Sequence, residues 1–325
     1  MTSVSLVIPG RNCEATLDAC LSSAVAIMEQ PGAPLKEIIF VNDGSTDGTE
    51  EIAARFPVTI HQGGGNGPGA ARNAGWRRAD SDLIWFVDSD CVMAIDALAT
   101  LLPHMDDEQV GGVSGTYGNA SEGSLLACLI HEEIIERHRQ MTREVDFLAT
   151  FNVLYRRHIL AELDGFDERY LKAQDAELSF RVRAAGHRLH FEHASRVDHY
   201  HEQHWGAYLR TQRQQGFWRV WLHLEHPGHG ARNSYSNALD HLQPIIAMLL
   251  LVTLPLLAVP DVRWVPAIPL GLLLLAQIPM TARLVRRLQS SRYVAFAPMS
   301  AIRAIWRGVG MTQGVLTRFL KGAHG

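Results

Sequence analysis

The chain has 325 residues, 47% of them hydrophobic and 20% charged, with a formal net charge of −4. That length allows one large domain or two modest ones with a real core, and the slight negative charge argues against a nucleic-acid binder. The charge is uneven: every acidic residue precedes Val262, and the stretch after it holds eight Arg and one Lys.

The first half alternates strand and helix signals. Val4–Ile8 is a short apolar run, followed by turn residues and a helix-like Ala15–Glu29. Glu37–Val41 is a second strand; it stops at NDGSTDGT, rich in turn and N-cap types, before a helix-like TEEIAARF. Val58–His61 predicts a third strand, Asn66–Gly75 a glycine-rich turn entering a helix, and Leu83–Val87 a fourth strand. Strands alternating with helices point to parallel βαβ units, and fully apolar strands agree, because parallel sheets are covered on both faces.

In such a sheet, ligands bind beyond the carboxyl ends of the strands. Pro9–Asn12, Asn42–Ser45 and Asp88–Asp90 all follow strands, so they are expected on one rim. Two carboxylates one residue apart can hold Mg2+ or Mn2+, which take one or two carboxylates plus substrate phosphate oxygens. Asp88 and Asp90 fit that task; capping or turn roles are the plainer alternative. Asp43 can accept from a nucleobase N–H or a ribose hydroxyl. Asp47 reads as an N-cap. In GGGNGPGAARNAG the glycines let backbone approach a ligand, and Arg72 adds a positive charge for a phosphate.

Later segments are less regular. Thr150–Tyr155 predicts a strand and Asp175–Ala185 an amphipathic helix closed by Gly186. A carboxylate at the mouth of that helix, Asp175, can serve as a general base, with Glu177 as the second candidate and simple capping as the alternative. Six histidines crowd His187–His204; His199 or His201, after a strand-like Ser195–Val197, is expected to face a diphosphate or a metal. Glu225–Asn237 reads as a loop.

Two uncharged runs follow, Pro244–Pro260 and Trp264–Met280, each at the lower length limit for a spanning helix. The basic ARLVRRLQSSR comes next, a flank of the kind that stays cytoplasmic. After Tyr293, apolar residues mixed with arginines suit an interfacial helix. The N-terminal SVSLVIP does not resemble a signal peptide. Cys13, Cys20, Cys91 and Cys128 show no CxxC spacing and read as reduced thiols. The expected location is the cytoplasmic membrane, with the body in the cytosol.

VIPGRN, VNDGSTDGT, GPGAARNAG and FVDSD, in this order and spacing, resemble the nucleotide-binding half of family 2 glycosyltransferases of the GT-A fold. GFDERYLKAQDAELSFRVRAAGH resembles the family's acceptor-side segment, and the likeness covers about Ser3–His201. The resemblance implies an α/β, Rossmann-like, mostly parallel sheet followed by membrane-associated helices. It implies Pro9, Asn12, Glu14, Asp43, Arg72 and Asp88 near a nucleotide-sugar, with Asn73 completing the A-R-N match. Asp88 falls toward the ribose, Asp90 toward the metal, and Asp175 on the general base. It further implies an inverting transfer from a nucleotide-diphosphate sugar, uridine-linked, to a lipid-linked or membrane-proximal acceptor. Arg11 stands where an aromatic is usual, Asn42 for an aspartate, and Gln174 for a glutamate; no clear Gln-x-x-Arg-Trp motif is present, which argues for single-sugar transfer.

The expected division is 1–110 for the donor, 111–240 for acceptor binding and catalysis, and 241–325 for the membrane part. Two rivals differ in class. A sugar-nucleotide pyrophosphorylase needs a phosphate loop with Arg and Lys after the first strand, where CEATLD stands instead. A silent membrane scaffold does not need the intact set Asp43, Asp88, Asp90 and Asp175.

Overall fold

The computed structural model describes residues 3–227, 234–235 and 238–322; the expected loop 225–237 therefore falls partly outside the described residues. In chain order the elements begin β1 (Val4–Gly10), α1 (Leu17–Met28), β2 (Leu35–Asn42), α2 (Thr49–Ala53), β3 (Thr59–Gln62), α3 (Pro68–Trp76) and β4 (Leu83–Val87). Then come β5 (Cys91–Met93), α4 (Ala97–Leu101), β6 (Val110–Asn119), α5 (Leu125–His138), β7 (Glu144–Val145), β8 (Asn152–Arg156), α6 (Arg157–Glu162), α7 (Gln174–Ala184) and β9 (Arg188–His199). The last five are α8 (Trp205–Glu225), α9 (Ala238–Thr253), α10 (Ala267–Leu275), α11 (Ile278–Leu288) and α12 (Phe296–Gly322).

Two compact units result. The first runs through Glu122 and resumes at Gln140–His201; the second combines Gly123–Arg139 with the chain from Glu202 onward. The first unit is built on one sheet of order β3-β2-β1-β4-β8-β6-β9-β5, with β7 added against β9. The expected parallel strands are β3, β2, β1 and β4. Past β4 the sheet turns mixed: β8 runs antiparallel to both β4 and β6, while β6 and β9 are parallel.

Local sequence explains these elements. Every residue of β1 and β4 is buried, as strands covered on both faces require. Helix α1 buries Leu17, Cys20, Leu21, Ala24 and Ile27, the three-and-four spacing of one helical face. Helix α3 starts with Pro68 at its first turn, after Gly67 at φ 101°. It presses on β1 through Gly75, where an added Cβ would lie 2.3 Å from Val7 Cγ1. Ala normally favours a helix over Gly. Here we expect Gly75→Ala to lower stability instead, by roughly 1–3 kcal/mol, measured as a fall in the urea midpoint.

In the second unit, α8 and α12 approach through glycines. A Cβ on Gly216 would lie 2.1 Å from the Arg307 carbonyl oxygen, and one on Gly310 would lie 1.9 Å from that of Arg213. Small residues at a helix crossing let backbones come this close. Helix α5 belongs here: Arg287 of α11 pairs with Glu132 and Glu136, and Arg303 of α12 with Glu133. Arg137 pairs with Glu133 and Asp240. Two stretches, Ala238–Ala258 and Ala267–Leu288, are helical, apolar and long enough to cross a membrane by length and composition. Leu249, Val252, Leu257 and Leu275 stand exposed on them. The second stretch starts and ends later than the apolar run read from sequence. Val259–Pro266, with a proline at each end of its turn, is non-helical, and α11 carries Arg283, Arg286 and Arg287 within the same stretch.

Candidate active site

The site lies where β1, β2 and β4 end. Parallel register sets Gly10 beside Asn42 and Pro9 beside Val41, so the loops after β1 and β2 emerge together. They bond to each other. Asn12, at φ 51°, accepts from the Thr46 amide at 2.8 Å and donates its own amide to Ser45 Oγ at 3.0 Å. Glu14 Oε2 accepts from the Gly48 amide at 2.8 Å. Asp47 accepts from the Thr49 hydroxyl at 2.6 Å and from its amide at 3.2 Å. It stands one residue before the N-cap position, held by Gly48, and so forms a turn ahead of the helix rather than the expected cap. Asn12 and Glu14 thus tie the two loops to each other.

Asp43 organises the glycine-rich loop. Its Oδ1 accepts from the Gly65 amide at 2.8 Å and its Oδ2 from the Gly67 amide at 2.9 Å. Gly64, Gly65 and Gly67 all have positive φ, a conformation costly to other residues. Such bonds to a carboxylate are charge-assisted and strong. The buried Arg72 then reaches the rim and donates through Nη2 to Asp88 Oδ1 at 2.5 Å. Its guanidinium lies 5.7 Å from the centre of the Phe166 ring. Asn73 fixes Phe166 in turn: it donates to the Phe166 carbonyl at 2.8 Å and accepts from its amide at 2.9 Å. The A-R-N segment therefore divides its work, with Arg72 facing the acidic loop and Asn73 holding what lies under Arg72.

The Asp88–Asp90 turn is pinned from below by the Thr16 hydroxyl, which donates to the Ser89 carbonyl at 3.0 Å. Just past it, β5 pairs antiparallel with β9 and sets Cys91 opposite His199. That pairing brings His199 Nε2 to 3.3 Å from Asp90 Oδ2. Ligand atoms of Asp90, Cys91 and His199 all lie within 4.8 Å of one another. Burial pushes the Cys91 thiol well up, and sulfur is a soft ligand, unlike the oxygens that suit Mg2+ and Mn2+. Carboxylate and imidazole remain, a donor pair that fits a divalent cation. Desolvation raises Asp90, but the charge and hydrogen bond of His199 outweigh it and hold the carboxyl below its usual range. Desolvation lowers His199, and Asp90 with Asp88 outweighs it, leaving the imidazole raised. His201 stands behind, Nδ1 to Nδ1 at 2.9 Å from His199, and Tyr117 packs on both rings.

Asp175 sits in the first turn of α7, after Ala173 in the left-handed conformation. Its Oδ1 accepts from the Ala176 amide at 2.8 Å. Burial raises its carboxyl; Asp88 adds to the rise and Arg72 opposes it. Glu177 does not join them by hydrogen bonding: both its oxygens take Arg181, at 2.6 Å each, and Arg181 continues to the Leu163 and Gly165 carbonyls. The i,i+4 spacing of Glu177 and Arg181 is a sequence signal for that pairing. Gln174 has a buried Oε1 without a hydrogen-bond partner among the described residues, beside Asp175; only its departure from the family pattern pointed to it.

Residues 5–164 match the family described as Glycosyl transferase family 2. The chain is 29% identical over 241 residues to the probable glycosyltransferase YdaM of Bacillus subtilis (strain 168), covering 68% of this chain and 53% of that protein. It is 26% identical over 235 residues to the pre-mycofactocin glycosyltransferase of Mycobacterium tuberculosis (strain ATCC 25618 / H37Rv), covering 69% and 48%. The chain therefore spans about half the length of these curated relatives. Among solved structures, the mannosyltransferase PcManGT from Pyrobaculum calidifontis, in complex with GDP-Man and Mn2+, superposes with a TM-score of 0.60 at 18% identity. That likeness is one of fold and covers 95% of this chain and 86% of the other.

Proposed function

The chain belongs to glycosyl transferase family 2 and has its GT-A fold, and on that premise we propose that it is an inverting glycosyltransferase working at a membrane. One observation carries the reading: at the carboxyl ends of the parallel strands Arg72 donates to Asp88 at 2.5 Å, on the turn whose Asp90 meets His199 at 3.3 Å. The donor is a nucleotide-diphosphate sugar, uridine-linked, held by the loops of Pro9, Asn12, Glu14 and Asp43. Residues 1–110 serve the donor, 111–240 the acceptor and the chemistry, and 241–325 the membrane.

Asp175 takes the proton of the acceptor hydroxyl as that oxygen attacks the sugar C1. Attack comes from the face opposite the departing diphosphate, so the configuration at C1 inverts. Arg72 keeps Asp88 oriented and adds positive charge on the diphosphate side. A divalent cation held by Asp90 and His199 would supply charge neutralisation to the leaving diphosphate. Glu177 is the weaker base candidate, since Arg181 occupies both its oxygens.

The acceptor is lipid-linked or otherwise membrane-proximal. The exposed apolar residues of α9 and α10 support this, as do the arginines of α11 on the cytoplasmic side by the positive-inside rule. The test is transfer by the full chain in detergent from a panel of UDP-, GDP- and dTDP-sugars to short-chain polyprenyl phosphates. Proton NMR of the product should show inverted configuration at C1. Retained configuration, or no transfer from any donor with Mn2+ present, contradicts the proposal.

A further inference from the structure

Arg307 lies in the middle of α12, partly buried between α8 and α9. Its Nε donates to Gln212 Oε1 at 2.8 Å and its Nη2 to Gln215 Oε1 at 3.1 Å. Both partners are neutral amides: they satisfy hydrogen bonds without neutralising the charge. Among the described residues no carboxylate pairs with Arg307, and its Nη1 has no hydrogen-bond partner. Its neighbour one turn back, Arg303, is matched by Glu133. From Val262 onward the sequence has no Asp or Glu to offer. Burial lowers the Arg307 guanidinium and the like charges of Arg303 and Arg219 lower it further, an effect that Glu133, already paired with Arg303, offsets only in part. A half-buried cation in that setting is costly without a counter-charge.

Its depth indicates which counter-charge. A Cβ on the adjoining Gly308 would lie 2.7 Å from the Pro244 carbonyl oxygen and 2.6 Å from Met248 Cε. Pro244 opens the uncharged run of α9, and Asp240 stands one turn before it. Arg307 is therefore level with the place where α9 passes from polar to apolar. At the boundary of a bilayer that level holds phosphate headgroups, and a guanidinium is suited to bind phosphate with two parallel donors.

We infer that Arg307, with Gln212 and Gln215 holding its other donors, binds the phosphate of an anionic lipid at the membrane boundary. The inference rests on reading α9 as a membrane segment, and the experiment separates the two. The full chain is placed in nanodiscs of phosphatidylcholine alone or with phosphatidylglycerol, and thermal unfolding is followed for wild type, Arg307→Gln, Arg307→Lys and Arg139→Gln.

Phosphatidylglycerol should raise the wild-type midpoint by about 3–6 °C. Arg139→Gln, an exposed control, should keep that rise, Arg307→Lys should keep part of it, and Arg307→Gln should lose it. In phosphatidylcholine alone, Arg307→Gln should melt no lower than wild type. Wild type supplies a second readout that needs no variant: the rise should survive about 0.5 M NaCl, since a partly buried pair is screened less than a surface one. An equal rise in Arg307→Gln overturns the inference. So does a rise abolished by salt, or one reproduced in detergent by inorganic phosphate, which would make the ligand a free anion. Failure to float with vesicles of either composition removes the membrane reading itself, and the inference with it.

Discussion

Asp175→Asn is expected to slow sugar transfer by about 10²- to 10⁴-fold and to leave donor affinity nearly unchanged. Asn keeps an oxygen for the Ala176 amide, now 2.8 Å from Asp175 Oδ1, so the turn should hold its shape. The same substitution should raise the melting temperature at pH 7. Burial lifts the Asp175 carboxyl above its ordinary range, which means the folded protein binds that proton more tightly than the unfolded chain. Its favourable contribution is then complete only below the unfolded value and is lost as pH rises through the folded one. At neutral pH the ionised group costs stability, and Asn removes the cost. The gap in melting temperature between variant and wild type should close as pH falls into the ordinary aspartate range. For the same reason the acid limb of kcat/KM against pH should lie above the ordinary aspartate range. A variant that retains transfer within tenfold of wild type would remove Asp175 from the role of base.

The second large effect is expected at Asp90. Asp90→Ala should abolish metal-dependent donor binding and cut transfer by about 10³-fold or more, the scale of losing electrostatic stabilisation of a leaving group. Its effect on stability should have the opposite sign to that at Asp175. Although desolvation raises Asp90, His199 holds the carboxyl below its usual range. The pair therefore stabilises the fold above the unfolded pKa, and this is lost as pH falls through the folded value. Asp90→Ala should melt slightly below wild type at pH 7, where Asp175→Asn melts above it. The contrast separates a carboxylate held by a partner from one raised by burial. Calorimetry of the two variants at pH 7 checks it.

Most of the parallel half of the sheet was legible because β1, β4 and the second half of β2 are buried, largely apolar runs closed by turn residues. Asp43 and Asp88 announced themselves by following those runs, and Arg72 by the glycine-rich segment before it. What brings His199 to Asp90 was not legible, because it depends on a three-residue strand, β5, pairing with the end of β9 more than a hundred residues later. Short strands carry little pattern of their own, and long-range pairings leave no local trace. The partner of Asn73, the Phe166 backbone, was hidden for the same reason. Glu177 could have been read more closely, since an arginine four residues on in a helix is a ready partner. The place of α5 among the C-terminal helices is fixed by ion pairs to arginines some 150 residues away, which sequence proximity conceals.

The central claim is that the acidic turn after β4 is a metal–diphosphate site. The most direct measurement is isothermal titration of the purified full chain with a nucleotide-diphosphate sugar, with and without Mn2+, in wild type and Asp90→Ala. The account predicts Mn2+-dependent binding by wild type and none by Asp90→Ala. Donor binding of equal strength in both proteins, with or without the metal, would contradict it.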